Sequence, residues 1–139
     1  MKSLFNIFYP ATCKACDAAL KYGENMICTS CRHELPVTAM HYRTQQPIQK
    51  LLYGRAKIEL GTALFYFDKK SLVQNLIHNL KYRGDQSISG FLGKWLGSEL
   101  AQIPEYKKID CVIPVPLHKS RRRKRGYNQV TGFGKEIAQ

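Results

Sequence analysis

Apolar and polar positions alternate with two distinct periods along this chain, and the change of period marks its elements. Leu60-Gly61-Thr62-Ala63-Leu64-Phe65-Tyr66-Phe67 is an apolar run rich in aromatic residues at its end, closed by Asp68-Lys69-Lys70, and reads as a strand. From Ser71 the period changes. Leu72, Val73, Leu76, Ile77 and Leu80 recur at helical spacing, Ser71 stands where an N-cap belongs, and Gly84 follows Arg83 as a residue beyond a C-terminus. A second helix is predicted with Ile88, Phe91, Leu92, Trp95, Leu96 and Leu100 on one face, stopped by Pro104, and with Trp95 buried between the helices and a sheet. Ile109-Asp110-Cys111-Val112-Ile113 then reads as a short strand with Cys111 as a buried thiol, running into Pro114-Val115-Pro116. A basic loop and a final helix from about Asn128 complete the pattern. Strand, two helices, strand, loop and helix predict an α/β domain over 58–139.

The first 57 residues lack this regularity. Residues 1–40 carry four cysteines, and 41–57 form a polar connector with one helical turn expected around Ile48–Tyr53. Met1 to Pro10 is apolar but broken by Asn6, too short for a secretory segment, and is expected to pack on the body. No apolar run approaches the roughly 18 residues a bilayer span needs. A cytoplasmic location is the resulting expectation.

Cys13-Lys14-Ala15-Cys16 and Cys28-Thr29-Ser30-Cys31 are two C-x-x-C pairs. Two intervening residues let both thiolates of a pair turn onto one cation, and two such turns complete a tetrahedron. With all four positions filled by protein, the spacing predicts a closed, structural zinc site in a small zinc-ribbon-like module. Gly23 suits the tight return between the pairs, and His33 reads as a surface residue rather than a ligand.

Charge changes the picture at the other end. The net charge is +12, and residues 111–139 hold seven cations against one acidic residue. Six cations fall between Lys119 and Arg125, after a proline-framed strand end and before a helix N-terminus. In an open α/β sheet that is where phosphates bind. Arg121, Arg122, Arg123, Lys124 and Arg125 are therefore candidate phosphate contacts, with Asn128 beside them and with Tyr127 either stacking on a base or packing under the following helix. Lys81 and Arg83 are expected to be solvated. Such a field fits nucleic acid, a small phosphate ligand, or peripheral contact with anionic lipid headgroups. A zinc-dependent nucleic-acid-binding module standing alone satisfies these observations without any further fold.

Three landmarks in order carry a resemblance: the double C-x-x-C; Leu80-Lys81-Tyr82-Arg83-Gly84-Asp85; and Pro114-Val115-Pro116-Leu117-His118 followed by the arginine-rich stretch and Arg125-Gly126-Tyr127-Asn128-Gln129. Together they resemble the ComF family. The resemblance implies a type I phosphoribosyltransferase-like, Rossmann-like α/β domain behind the zinc module, and a role in natural competence, the uptake of single-stranded transforming DNA. It implies single-stranded DNA and a DNA-translocating helicase-like competence protein as partners. It places Pro114, Val115, Pro116, Leu117 and His118 where related enzymes carry a pyrophosphate-binding loop. Those enzymes also carry an acidic, threonine- and glycine-containing loop for phosphoribosyl pyrophosphate. No such stretch occurs in these 139 residues, so an incomplete domain is expected. Transferase activity with phosphoribosyl pyrophosphate and Mg would then require a longer product. No general base is evident: Asp110 sits at the start of its strand, and His118 suits a phosphate contact better than proton transfer. The catalytic residues thus stay unassigned.

Overall fold

The computed structural model describes residues 10–43 and 47–139; the expected packing of Met1–Tyr9 lies outside them. The described chain is helix-rich. Its helices are α1 (Thr29–Glu34), α2 (Pro47–Leu51), α3 (Leu72–Tyr82), α4 (Ser87–Leu100), α5 (Lys119–Arg125) and α6 (Gln129–Ile137).

Local chemistry sets the helix ends. The Ser71 side chain accepts the Gln74 N–H, as expected of an N-cap, and α3 closes at Arg83 with Gly84 at φ +73°. Asn128 caps α6 by accepting the Val130 N–H. The helix α4 ends at Leu100, four residues short of Pro104, and turns on through Ile103. The connector forms its helical turn as α2.

Two expectations are corrected here. The segment expected as a basic loop is the helix α5, capped by His118, whose side chain accepts the Ser120 N–H, and ended by Gly126 at φ +78°. Arginine and lysine are good helix formers. A stretch with no apolar residue has no hydrophobic period to reveal it.

The second correction concerns the sheet. Among the described residues no ladder forms, and the doubly wound Rossmann-like α/β core is absent from them. Leu60–Phe67 meets residues 36–38 instead: Val37 bridges Phe65 antiparallel, Thr38 donates its N–H to Leu64 O and Tyr66 donates to Pro36 O. Residues 109–113 pass along α6, with Val112 and Pro114 against Gly134, but no strand among the described residues pairs with them. A strand exists only where a neighbour accepts its ladder. Without one, Ile113 is 81% exposed and Cys111, expected to be buried, is exposed too.

Two packed clusters hold the chain together. In one, Cys13, Ala15, Ile27, Cys31 and Leu35 of the cysteine module pack with Val73, Leu76 and Ile88 of α3 and α4. Module and helices therefore share a core. Asn75 and Asn79 of α3 donate to the Ala15 and Lys14 carbonyls, both at 2.8 Å, and Lys14 pairs with Asp85 at 2.9 Å. In the second cluster Leu64, Leu96 and Leu100 meet Tyr106, Phe133 and Ile137.

Trp95 joins the clusters and is half-buried, where full burial was expected. With no sheet to cover it, its roof is the Arg32 guanidinium of α1, 5.2 Å from the ring centroid, with Phe65 and Phe91 edge-on. Its Nε1 donates to Glu99 at 2.8 Å, and the other Glu99 oxygen lies 3.0 Å from the buried His41 Nε2. His41 Nδ1 in turn meets Thr62 Oγ1 at 3.0 Å, so one polar chain ties the connector to α4.

Candidate metal centre and phosphate cleft

The four cysteines of the two knuckles are free thiols whose sulfurs all lie within 4.8 Å of one another. A tetrahedral ion with metal–sulfur bonds of about 2.3 Å sets its ligands about 3.8 Å apart. Cys16 and Cys28 stand at 3.8 Å, far beyond the roughly 2.05 Å of a disulfide.

The backbone builds this geometry from local turns. Asp17 donates its N–H to Cys13 O, Lys14 donates to Met26 O across the module, and Gly23 turns at φ +87° between the pairs. Glu24 clasps the return: one carboxylate oxygen accepts the Lys21 N–H and the other accepts both the N–H and hydroxyl of Thr29. The Cys28 sulfur caps α1 by accepting the Cys31 N–H. His33 is exposed and outside the set.

Electrostatics point the same way. Burial would raise the Cys13 thiol, but the N–H groups of Cys28, Ala15 and Cys16 outweigh it and bring it down to about 7. Cys31 is pushed far up, first by burial and then by its three neighbouring thiols. Cys13 forms an anion readily, while Cys31 is held back by burial and by its neighbours. A shared cation removes that conflict, so the four residues fit a bound metal.

The basic end forms a cleft of about 600 Å³. Pro114, Pro116 and Leu117 line one side, Arg122, Tyr127, Asn128 and the start of α6 another, and Gln86, Ser89 and Lys135 complete it. Ser89 anchors α6 at this point, donating to Gln129 O at 2.6 Å and accepting the Phe133 N–H at 2.8 Å. Asn128 donates to Val115 O at 2.9 Å, which fixes the proline-framed segment against the α6 N-terminus. A helix N-terminus flanked by Arg122 and Lys135 is an electropositive setting for an oxyanion.

Of the residues predicted for phosphate, this cleft collects Pro114, Pro116, Leu117, Arg122, Tyr127 and Asn128. Val115 and His118 lie outside its lining; His118 spends its Nδ1 on Ser120. Arg121, Arg123 and Lys124 are exposed on α5 beside it. Arg122 and these three enter none of the ion pairs among the described residues. Arg125 is committed to Gln129 Oε1 at 3.1 Å and to the Tyr82 ring. Tyr127 is half-buried and donates its hydroxyl to the Leu80 carbonyl, which leaves it a structural tie between α3 and α6. Lys81 is solvent-exposed, and Arg83 makes only a long, exposed contact with Asp17. Lys135 and Gln86 are cleft residues that the sequence did not single out, because neither stands in the proline–arginine segment.

No helix among the described residues is long and apolar enough to cross a membrane. Comparisons with family models, curated proteins and solved structures return no match.

Proposed function

We propose that the chain is a ComF-like competence accessory protein that handles single-stranded transforming DNA through α5 and the cleft beside it. The observation that carries this reading is charge left unspent: Arg121, Arg122, Arg123 and Lys124 share one short helix without a carboxylate partner among the described residues. Holding like charges together is unfavourable unless an anion compensates them, and a phosphate backbone supplies anions in a row. In this reading Cys13, Cys16, Cys28 and Cys31 hold a structural zinc, whose role is to fix the module against α3 and not to react. Four free thiols persist in a reducing interior, which agrees with a cytoplasmic location.

A second reading has one observation in its favour. Pro114, Pro116 and Leu117 share a cleft with Arg122, Lys135 and the α6 N-terminus, an arrangement suited to a pyrophosphate group such as that of phosphoribosyl pyrophosphate with Mg.

One experiment separates them. Binding of a labelled single strand is measured across a salt series for wild type and for the Arg122→Ala/Arg123→Ala double variant, with phosphoribosyl pyrophosphate and Mg as competitor. The DNA-handling reading requires steep salt dependence in wild type, a shallower slope in the variant by about 1.4 for two phosphates on a single strand, and little competition. Equal slopes would remove α5 from any DNA contact. Saturable binding of phosphoribosyl pyrophosphate with no strand binding would favour the transferase-like reading.

A further inference from the structure

With Tyr127 tied to the Leu80 carbonyl, the aromatic group left exposed beside α5 is a different one, at the end of α3. Tyr82 is the last residue of α3 and remains 64% exposed although two side chains lean on it. The Arg125 guanidinium lies 5.5 Å from its ring centroid, and the His78 ring, one turn back on the same helix, lies 5.0 Å from it at an interplanar angle of 43°. Arg125 cannot wander: its Nη1 donates to Gln129, while the Tyr127–Leu80 hydrogen bond pins the α5–α6 junction to the end of α3. The ring is thereby held in one orientation while most of it faces water.

A large aromatic ring fixed in solvent and polarised by a cation is unusual on energetic grounds. Its apolar area could have been buried, and instead it is braced by groups that are themselves exposed or half-exposed. Its surroundings supply a second property. Arg121 stands one helical turn before Arg125, hence on the same side of α5, and Lys81 and Arg83 flank Tyr82 in sequence, all three exposed. An exposed π-face among exposed cations, of which only Arg83 has a carboxylate near it, the Asp17 contact at 3.8 Å, matches the two repeating parts of a single strand, a flat base and an anionic phosphate.

We infer that Tyr82, braced by Arg125 and His78, is a base-stacking platform for single-stranded nucleic acid, with Arg121 and its α5 neighbours meeting the adjoining phosphates. This rests on the DNA-handling reading above and assigns the base contact within it. Stacking on a ring does not depend on hydrogen-bond edges, so the site takes any base and discriminates strands with bases from strands without them.

The test uses the full, metal-loaded chain and two labelled strands of equal length, oligo(dT) and an abasic strand, at several salt concentrations. Tyr82→Ala is expected to weaken oligo(dT) binding about 5- to 150-fold, leave its salt slope unchanged, and leave abasic-strand binding unchanged. Tyr82→Trp, which keeps a stacking face, should bind oligo(dT) like wild type. Tyr82→Leu, which keeps apolar contact for the Arg125 stem, should fail like Tyr82→Ala. Equal oligo(dT) affinity for Tyr82→Ala and wild type, while the Arg122/Arg123 variant flattens the slope, would overturn the platform and leave DNA handling standing. Absence of salt-dependent binding of either strand by wild type would overturn both.

Discussion

The cysteine module and the basic C-terminal region are nearly equal in length but differ in how completely their polar groups are used. In the module many polar groups have a structural duty. Glu24 holds three donors, the Lys14 and Ala15 carbonyls are taken by Asn79 and Asn75, and four thiols converge on one point. Around residues 109–139 the tie points are few: Ser89, Asn128, Gln129 and Tyr127 fix the backbone, while six cations and the apolar side chains of Ile109, Val112, Ile113 and Val115 face water. A region whose groups satisfy one another explains its own shape. A region that leaves charge and apolar area in water does not, and that surplus is what the proposed strand binding draws on.

The sharpest way to break this contrast is to remove the metal. Purified chain should carry about one zinc per molecule. Cys28→Ser should lose it, and the loss should not stay local, because Cys13 and Cys31 share a core with Val73 and Leu76 of α3. Metal-dependent folding of small zinc modules is close to all-or-none. Trp95, roofed by Arg32 of α1, reports the change: its fluorescence in Cys28→Ser should move to that of a solvated indole. An unchanged spectrum in zinc-free protein would show that the module's hydrogen bonds suffice without metal.

The contrast sharpens at the crossing of α4 and α6, on which the cleft depends. A Cβ on Gly93 would stand 2.6 Å from the Phe133 carbonyl oxygen and 2.9 Å from both Phe133 Cα and Glu136 Cβ, so the two helices meet backbone against backbone with no room for a methyl group. Gly93→Ala should cost about 1–3 kcal/mol, the usual range for overpacking, read as a lower midpoint in urea. It should also displace the α6 N-terminus and weaken binding at the cleft, leaving zinc content unchanged. Full cleft binding at reduced stability would mean that α6 tilts without moving its N-terminus.

How much of this was legible beforehand follows the same division. Local rules read well: the spacing of Cys13, Cys16, Cys28 and Cys31 specified the metal cluster, Ser71 and Asn128 marked helix starts, and Gly84 marked an end, because each depends on residues a few positions away. The sheet was misread for the opposite reason. The apolar runs 60–67 and 109–113 have strand composition, but pairing depends on a partner elsewhere, and the first found residues 36–38 while the second found none among those described. The basic helix α5 was hidden because polar residues leave no period. Of the two readings open for Tyr127, the tertiary contact with Leu80 decides for packing, and the exposure of Tyr82 follows from no local signal. Lys135 enters the cleft through the α4–α6 packing, which no motif encodes.

The smallest expected effect concerns Glu24, which sets how strongly the module's clasp depends on pH. The Lys21 N–H, then the Thr29 N–H and hydroxyl, hold its carboxyl down from 4.5 to about 2. A carboxyl depressed in the folded chain favours folding while it is ionised. Its contribution is therefore complete above the unfolded value near 4.5 and is lost as pH falls toward 2. Between these limits wild type should lose stability to acid more steeply than Glu24→Gln, whose amide oxygen still accepts one of the bonds and does not titrate in this range. At neutral pH the two should differ only slightly, since the carboxylate lies at the surface and water competes for it. Carboxyl titration by NMR gives the direct check: a Glu24 midpoint near 4.5 in the metal-loaded protein would show that the clasp is open in solution. The return between the two cysteine pairs would then be held by Gly23, the metal and backbone bonds such as Lys14 N–H to Met26 O.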